Sequence, residues 1–408
     1  MNKVINRAEQ MAPIPQGNRD LIRNINRSII LNAIKSKGLI SRAELAHETN
    51  LSPATVTSII ADLITQGLVF EKEAGESNGG RRPILLSLNP LGGLVIGVKL
   101  MENRAVAVLT DLNSNVLFKD QIDITDSHVD GVVDSLAALV QDILNQSSLN
   151  KEKLLGVGVG LAGVVDSKKG ILRQSPFFGW KDTPLRDLLQ AKLSVPVYID
   201  NDVNTLALGE KWLGQGLPED NFIVITVGRG IGMGMVINGQ IYRGKSGGAG
   251  EFGHTCVDPN GPMCSCGKLG CLESYLGDRA LLATARKQVG EEILSFEDFL
   301  QKAYNGNAAA AAVLANAGNL LGVEIANLVN ILDPKLILIS GEGVHMGDLF
   351  FSALRDSFHQ NVMPGLANDT EIRVMPLGDD TWASAAASVV IGELFNSPTR
   401  PEGGLGKK

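Results

Sequence analysis

Four side chains that bind transition metals well lie close together in the second half of the chain. All four cysteines fall between Cys256 and Cys271, and no export signal precedes them. This crowding favours a metal site over a disulfide framework. One imidazole and three thiolates form a closed tetrahedral set, as in structural zinc sites, and glycines at positions 267 and 270 permit the tight turn between them. The spacing predicts one structural Zn²⁺ held by His254, Cys264, Cys266 and Cys271.

Two alternatives remain open for this segment. Cys256 could serve as the fourth ligand in place of His254, although we expect its side chain to be directed elsewhere. The cysteines could also be reduced core residues without a metal. The tight spacing favours the metal site over the second alternative.

Three helices are predicted at the start of the chain, where uncharged side chains could reach a nucleic acid. The first is predicted over Asn18–Lys37, and Ser41 with Glu44 forms a capping box for a second over Arg42–Glu48. Ser52 and an N1 proline open the third. Its outer face is small and uncharged, which suits a recognition helix in the major groove. The predicted DNA contacts on this helix are Ser52, Pro53, Ala54, Thr55, Thr57 and Ser58.

Two predicted strands follow the third helix and form a wing. Leu68–Glu71 and Ile84–Leu88 flank a glycine-rich tip that carries Arg81 and Arg82, and these arginines could reach the minor groove or its phosphates. A small helical bundle that binds protein is the alternative. The order of capped helix, short turn, helix and basic wing favours a winged helix-turn-helix that binds DNA.

The charge is unevenly distributed and agrees with this division. Residues 1–90 carry eleven Lys/Arg against eight Asp/Glu, a net charge of +3. Because the whole chain has a net charge of −7, the remaining residues carry a net charge of −10. A mildly basic head on an acidic body is typical of a nucleic-acid-binding module joined to a domain with other ligands. We find no apolar run long enough to span a bilayer and no signal peptide, so we expect no membrane association and a cytoplasmic protein.

The body of the chain repeats one pattern of elements. Buried strands at Leu94–Val98 and at Phe222–Val227 each begin a β-meander, which predicts two α/β halves with a ligand-binding cleft between them. The glycine-rich stretch Val227–Gly234 could admit a phosphate or a sugar close to the backbone. A tight hairpin that needs positive φ is the alternative.

The motifs together resemble the ROK family (repressors, open reading frames and kinases), in its repressor branch, which includes xylose repressors. The resemblance covers about Gly17 to Phe395 and rests on four motifs. These are Gly80-Arg81-Arg82-Pro83, Asp200-Asn201-Asp202, Gly250-Glu251-Phe252-Gly253-His254, and the Cys-x-Cys-Gly-x-x-Gly-Cys-x-Glu run that ends at Glu273. The resemblance implies a two-lobed, actin-like (ribonuclease-H-type) fold with a sugar between the lobes.

The resemblance also implies a set of sugar ligands. Carboxylates accept from two vicinal hydroxyls, and amides both donate and accept. His254 would contact the sugar while it also binds zinc. Asn201 and Asp202 could instead cap the helix over Val203–Lys211, and either could do both. The implied sugar-binding residues are Asn201, Asp202, Glu251, His254 and Glu273.

Two departures from the kinases of the family bear on activity. Their first strand carries an Asp-x-Gly-Gly-Thr phosphate loop, whereas the corresponding stretch here is Gly97-Val98-Lys99-Leu100-Met101. Without the acid, the glycines and the threonine, ATP and Mg²⁺ lose their main anchor, so we expect no enzyme activity. Pro176 is followed by Phe177 where the family has a sugar-contacting Asn. The second glycine loop and the turn Ser340–Val344 persist and leave weak nucleotide binding open.

These observations predict a repressor that leaves its operator DNA when a monosaccharide (xylose or glucose-like) binds in the cleft. The alternatives are a sugar kinase with a DNA-binding head and a repressor controlled by a sugar-transport phosphotransfer protein. We expect a homodimer or higher homo-oligomer, because paired half-sites need a two-fold protein. The predicted domains are a winged helix-turn-helix at 1–89, a ROK domain at 90–397 and a disordered tail at 398–408. Within the ROK domain, the first lobe is predicted at about 90–202 plus a C-terminal helix at 381–396, and the second at about 203–380.

Overall fold

The computed structural model of the chain describes residues 19–73, 84–147, 149–290 and 292–395. The described residues form two compact units. The first contains the chain up to Gly92 together with the residues from Glu393 onward, and the second contains Gly93–Gly392.

The first unit is a three-helix domain with a small antiparallel sheet in the strand order β1-β3-β2. A core of aliphatic side chains, including Ile30, Val56 and Leu63, joins its helices. Its elements are α1 (Arg19–Lys37), β1 (Ile40–Ser41), α2 (Arg42–Thr49), α3 (Pro53–Thr65), β2 (Val69–Glu73) and β3 (Ile84–Leu88). All three predicted helices are present. The short strand β1 was not predicted, because two residues give no periodicity to detect.

Local side-chain hydrogen bonds fix the starts of the second and third helices. Ser41 and Glu44 form the predicted capping box, in which each side chain accepts from the other residue's backbone N–H. The Ser52 hydroxyl accepts from the backbone N–H of Thr55 at 3.1 Å, and Pro53 occupies the first helical position. The wing residues Arg81 and Arg82 lie outside the described residues, as does the tail at 398–408.

The second unit contains two five-stranded sheets. The first has the order β11-β7-β4-β5-β6, and the second has the order β14-β13-β12-β15-β16. A separate three-stranded sheet has the order β10-β9-β8. The strands of the first half are β4 (Leu94–Leu100), β5 (Arg104–Thr110), β6 (Val116–Asp123), β7 (Leu154–Leu161), β8 (Val164–Asp166), β9 (Ile171–Gln174), β10 (Lys181–Thr183) and β11 (Val197–Asn201). Those of the second half are β12 (Phe222–Val227), β13 (Ile231–Ile237), β14 (Gln240–Ile241), β15 (Leu336–Ser340) and β16 (Glu371–Val374).

The two large sheets have the same topology, which confirms the predicted duplication. Each starts with an antiparallel meander, and the first strand of the meander then pairs in parallel with a later strand. A second parallel strand completes each sheet. The helices of this unit are α4 (Val129–Gln146), α5 (Leu185–Leu193), α6 (Asp202–Leu213), α7 (Glu273–Leu276), α8 (Asp278–Val289), α9 (Phe296–Tyr304), α10 (Ala308–Leu332), α11 (Gly347–Asn361) and α12 (Asp379–Phe395).

A close approach between β4 and α12 explains one glycine in the first sheet. A Cβ atom on Gly97 would lie 1.9 Å from the carbonyl oxygen of Ala383, so no side chain fits there. The contact holds the start of α12 against the strand that carries Lys99, and Trp382 projects from the same turn of the helix. At its other end α12 reaches Phe395, whose carbonyl accepts a 2.8 Å hydrogen bond from Asn32 of α1, within the first unit.

Among the described helices, α10 alone is long and apolar enough to cross a membrane, with a mean hydropathy of 1.4 in its most apolar window. It packs along α11, and its buried residues include Leu314, Leu321 and Val329 in the core of the second half. Core helices have the same length and composition, so these two properties are weak evidence for a membrane span.

Candidate metal and sugar site

The predicted metal ligands converge in the structure. Their donor atoms all lie within 4.8 Å of one another, in the set His254, Cys264, Cys266 and Cys271. The Sγ atoms of Cys266 and Cys271 are 3.6 Å apart, and Cys264 Sγ lies 3.5 Å from His254 Nδ1. Tetrahedral zinc with ordinary bond lengths requires donor separations of about 3.5 to 3.8 Å. The cluster can therefore hold a metal ion, and its donors fit zinc.

The backbone between these ligands depends on a glycine. Gly270 has φ +65°, and a Cβ atom there would lie 1.6 Å from the carbonyl oxygen of Asp258. No other residue fits, because both the backbone conformation and the space exclude a side chain. The turn places Cys271 directly beside Cys266, and the Lys268 Nζ donates to the His254 carbonyl at 2.7 Å.

Two thiols of the cluster have opposite pKa shifts. Burial, followed by the neighbouring sulfurs of Cys266 and Cys264, raises the pKa of Cys271 to about 12. For Cys266, burial acts in the same direction, but hydrogen bonds from the Lys268 backbone and the neighbouring thiols lower its pKa overall. Three crowded sulfurs cannot all ionise without a counter-charge, which a divalent cation would supply.

Cys256 is separate from this set. It is exposed, and its Sγ donates to the Leu269 carbonyl at 3.7 Å. The group of donors that lie within reach of one ion contains His254 and not Cys256.

The Asp200-Asn201-Asp202 motif lies where β11 ends and α6 begins. Asp200 is fully buried, and its Oδ2 accepts from Arg243 Nε at 2.7 Å and Nη2 at 2.6 Å. Asn201 is the N-cap of α6, since its Oδ1 accepts from the backbone N–H groups of Val203 and Asn204. The helix-cap alternative is therefore realised for Asn201, whose amide also donates to the Gly163 carbonyl.

Asp202 has a different environment. It is the first residue of α6, and its Oδ2 forms an ion pair with Lys99 Nζ from β4. The Lys99 side chain is buried, at 11% exposure, and that of Asp202 is mostly buried, at 14%. The ammonium also lies 4.3 Å from the centre of the Trp382 ring. In the sequence, Lys99 stood out only because it lies in the stretch that replaces the phosphate loop of the kinases. No periodicity in the sequence could have shown that it pairs with Asp202.

Two further carboxylates, Glu251 and Glu273, lie near each other. Glu251 lies beside His254, with 3.9 Å between Glu251 Oε2 and His254 Nε2. Desolvation raises the pKa of the Glu251 carboxyl; His254 opposes this shift, and the Glu273 and Asp202 carboxylates add to it. Glu273 accepts from the Ile231 backbone N–H at 3.2 Å and from the Ser265 hydroxyl at 3.2 Å.

His254 connects the two groups of residues. Its Nδ1 faces Cys264 in the metal cluster, and its Nε2 faces Glu251. An imidazole has one nitrogen for a metal and another for a hydrogen bond, and the bound metal fixes which atom does which. The arrangement allows His254 to act in both sites.

The glycine-rich stretch forms the β12–β13 hairpin, with Val227 opposite Ile231. The hairpin alternative is therefore realised, but without the positive φ that it was expected to need, since none of its glycines has positive φ. A close approach is found instead: a Cβ atom on Gly228 would lie 2.2 Å from Glu342 Oε2. Burial, followed by repulsion from Glu342, raises the pKa of the nearby Asp278 to about 6. Two carboxylates therefore lie against the loop that would hold nucleotide phosphates.

Arg229 at the tip of this hairpin contacts the first half of the unit. It forms an ion pair with Glu102 and stacks on the Phe177 ring at 4.4 Å. Glu102 belongs to the turn after β4, so the two segments that correspond to phosphate loops are joined directly to each other. Phe177 is the residue that replaces the sugar-contacting Asn of the family.

The predicted DNA-reading face of α3 is open to solvent. Val56, Ile59, Ile60 and Leu63 are buried on one side, whereas Thr57 and Ser58 are exposed on the other. Ser52, Pro53 and Ala54 are also exposed. Thr55 is half-buried, and its hydroxyl is 2.8 Å from that of Ser52.

The chain joins a winged helix-turn-helix to two duplicated α/β halves, and a His/Cys₃ cluster lies beside three carboxylates. These features define a DNA-binding regulator of the ROK class. Residues 95–393 match the ROK family, and residues 23–69 match the winged helix-turn-helix DNA-binding family. The chain belongs to the ROK family.

Known relatives carry both parts of the chain. The chain is 31% identical over 395 residues to the xylose repressor of Caldicellulosiruptor bescii, covering 94% of this chain and 99% of the relative. Its structure is similar to that of a ROK family transcriptional regulator described as a homolog of the Escherichia coli MLC protein, with a TM-score of 0.83, 29% identity and coverage of 92% and 98%. A ROK glucokinase from Streptomyces griseus in complex with glucose and AMPPNP matches with a TM-score of 0.63, 28% identity and coverage of 73% and 99%.

Proposed function

We propose that this chain is a sugar-responsive transcriptional repressor. One observation carries the proposal: a winged helix is joined to a two-lobed domain. The third helix of the first part exposes a small polar face, and three carboxylates of the second part cluster near one histidine. The glucokinase relative was solved with glucose, and the repressor relative is named for xylose. Both names support a monosaccharide as the effector, xylose or glucose-like.

In this proposal the sugar lies between the two halves of the second unit. Asp202 and Glu251 accept hydrogen bonds from sugar hydroxyls, and His254 and Glu273 complete the contacts. Asn201 places Asp202 through the helix cap and could reach the sugar with its remaining amide hydrogen. Sugar binding must favour the conformation with low operator affinity, because a ligand with equal affinity for both conformations shifts nothing.

Zn²⁺ held by the His/Cys₃ cluster has a structural role in the proposal. When bound, it supplies the positive charge that three crowded thiolates need. The chain's own residues do the rest, since the Gly270 turn sets the spacing of the cysteines and His254 Nε2 is held toward Glu251. The protein acts in the cytoplasm as a homodimer or higher homo-oligomer on a palindromic operator.

A sugar screen tests the effector. Purified full-length protein is heated with D-xylose, D-glucose and other common monosaccharides, and the melting temperature is measured. A positive sugar is then titrated into the operator complex at fixed salt. We expect one monosaccharide to raise the melting temperature and release DNA. If no sugar does either, a sugar-transport partner protein becomes the leading candidate for the controlling signal.

Salt-dependent DNA binding tests the winged helix. Arg81→Ala or Arg82→Ala should weaken binding to all sequences and reduce the slope of log K against log[salt] by about one, as expected when one phosphate contact is lost. Ser58→Ala should instead change sequence preference, because its hydroxyl lies on the exposed face of α3. If a chain without residues 1–88 still binds the operator, the assignment is wrong.

Sugar kinase activity is the second candidate, favoured by the similarity to the glucokinase. We propose that the chain lacks it. Lys99 replaces part of the first phosphate loop, the Glu102–Arg229 ion pair joins the two loop segments, and Glu342 lies against Gly228. A coupled ATP-consumption assay with a panel of monosaccharides should show no turnover, whereas a rate of about one per second, ordinary for kinases, would establish the enzyme.

A further inference from the structure

Lys99 is a buried cation that pairs with one carboxylate among the described residues. It lies on β4, opposite Val106 of β5 and Gly160 of β7, and retains 9% of its surface. Its ammonium forms an ion pair with Asp202 and lies over the Trp382 ring. A lysine so withdrawn from water is costly unless a specific partner compensates it.

We propose that Lys99 is a positioning residue for the effector: it holds the Asp202 carboxylate in an orientation in which it accepts hydrogen bonds from sugar hydroxyls. This inference rests on the proposed function, in which Asp202 is a sugar ligand. Lys99 itself acts through Asp202 and through no direct contact with the sugar.

The geometry of Asp202 supports this role. Its Oδ1 accepts from the Val203 backbone N–H at 2.9 Å, and its Oδ2 accepts from Lys99. A carboxylate offers about four acceptor positions, so both oxygens keep a free position while their directions are fixed. The backbone contact and the ammonium therefore orient the group without saturating it.

Local charge supports it as well. The Asp202 and Glu273 carboxylates each lie close enough to Glu251 to repel it. Lys99 supplies a positive charge directly beside Asp202. Without it, Asp202 would lose the cation that holds it and would keep a like charge nearby, and rotation of its carboxylate would weaken it as a hydrogen-bond acceptor.

A neighbouring ion pair shows what a purely structural pair looks like here. Asp200 is fully buried, and its two oxygens are occupied by Arg243, the Asn201 backbone and Asn204. Asp202 has fewer partners and retains exposed surface, so it has acceptor positions to offer a ligand.

The test measures sugar affinity in variants of the full-length protein. Lys99→Met removes the charge and keeps the apolar stem, and Lys99→Arg keeps the charge. Lys211→Met is the matched control. Lys211 lies near the opposite end of α6 from Asp202, is 17% exposed and pairs with Asp220. Dissociation constants for D-xylose and D-glucose are measured by calorimetry, with melting temperature and operator binding as checks on folding.

We expect Lys99→Met to weaken binding of the sugar that the parent binds by about tenfold or more, whereas Lys99→Arg and Lys211→Met stay within about threefold of the parent. In an Asp202→Asn background, Lys99→Met should change affinity by less than about threefold, since Lys99 acts through that carboxylate. If Lys99→Met does not fold, Lys99→Gln makes the same comparison.

Other outcomes separate the inference from the function on which it rests. If the parent and Lys99→Met bind sugar equally, the inference is wrong and the proposed function stands. Tighter binding by Lys99→Met would also overturn it, because the lysine would then compete with the sugar for Asp202. If the parent binds neither sugar nor any other monosaccharide in the screen, the proposed function fails and the inference fails with it.

Discussion

The metal cluster and the carboxylate cluster share His254 but are built in opposite ways. The cluster of three cysteines and one histidine comes from a single stretch of chain, and its geometry depends on one turn at Gly270. The carboxylates come from separate elements, with Asp202 at the start of α6, Glu251 before a short helical turn and Glu273 at the start of α7. The first cluster is local in sequence, whereas the second exists only after the two halves have folded together.

The two clusters also compensate charge differently. Three thiolates next to one another need an external cation, and the donor spacing fits zinc. At the carboxylates, the chain supplies a cation of its own, Lys99, to one of three acids. The first site thus has the donors to enclose one cation, whereas the second keeps the acceptor positions that the proposed function assigns to sugar hydroxyls.

The largest expected effect is loss of the metal. Cys266→Ser removes one of four donors, and metal content measured by elemental analysis should fall from about one ion per chain to near zero, with a lower melting temperature. Cys256→Ser is the control and should leave the content unchanged, because Cys256 lies outside the donor group. Metal-free parent protein, prepared without chelators, would contradict the metal assignment.

Substitution of Asp202 should lower sugar binding at the carboxylate cluster without loss of the metal from the other cluster. Asp202→Ala leaves Lys99 without its partner and should melt at a lower temperature than the parent. It should still keep its metal and bind operator, but lose about tenfold to a hundredfold in sugar affinity, about 1–3 kcal/mol for a lost hydrogen bond. Operator binding is measured across a sugar titration at fixed salt. Release of DNA by parent and variant at the same sugar concentration would show that Asp202 is no ligand.

A smaller effect concerns the acids beside the hairpin. In the folded protein the pKa of Asp278 is about 6, above its ordinary value near 4, so its ionisation destabilises the fold as pH rises from about 4 to 6. Asp278→Asn should raise stability at pH 8 by about 1–2 kcal/mol, after allowance for solvent screening, and the gain should vanish at pH 4. Denaturant unfolding at both values measures it, with the exposed Asp187→Asn as control.

The smallest effect is expected at the ion pair between the two glycine-loop segments. Arg229 and Glu102 are 45% and 47% exposed, and ion pairs so open to water contribute about 0–1 kcal/mol. Arg229→Ala should therefore change the free energy of unfolding by less than about 1 kcal/mol and leave metal content unchanged. If Arg229→Ala lowered stability as much as Cys266→Ser, the two halves would depend on this ion pair. The distinction between a metal cluster built locally and a carboxylate cluster built by assembly of the halves would then weaken.

The sequence by itself determined the features that depend on neighbouring residues. The capping box of Ser41 and Glu44, the proline start of α3 and the crowded cysteines are all local patterns, and the structure has each of them. The duplicated meander could also be predicted, because strand periodicity repeats along the chain. The resemblance to the ROK family rested on the same kind of short motif.

Only the tertiary structure decided which partner each polar side chain takes. Lys99 and Asp202 are 103 positions apart, and Asp200 and Arg243 are 43 apart, so no spacing rule could pair them. The positive φ considered as an alternative for the hairpin glycines is not adopted, and a side chain on Gly228 would instead meet the distant Glu342 carboxylate. Such pairings depend on how sheets and helices pack, because burial forces a charge to find a partner wherever the fold brings one.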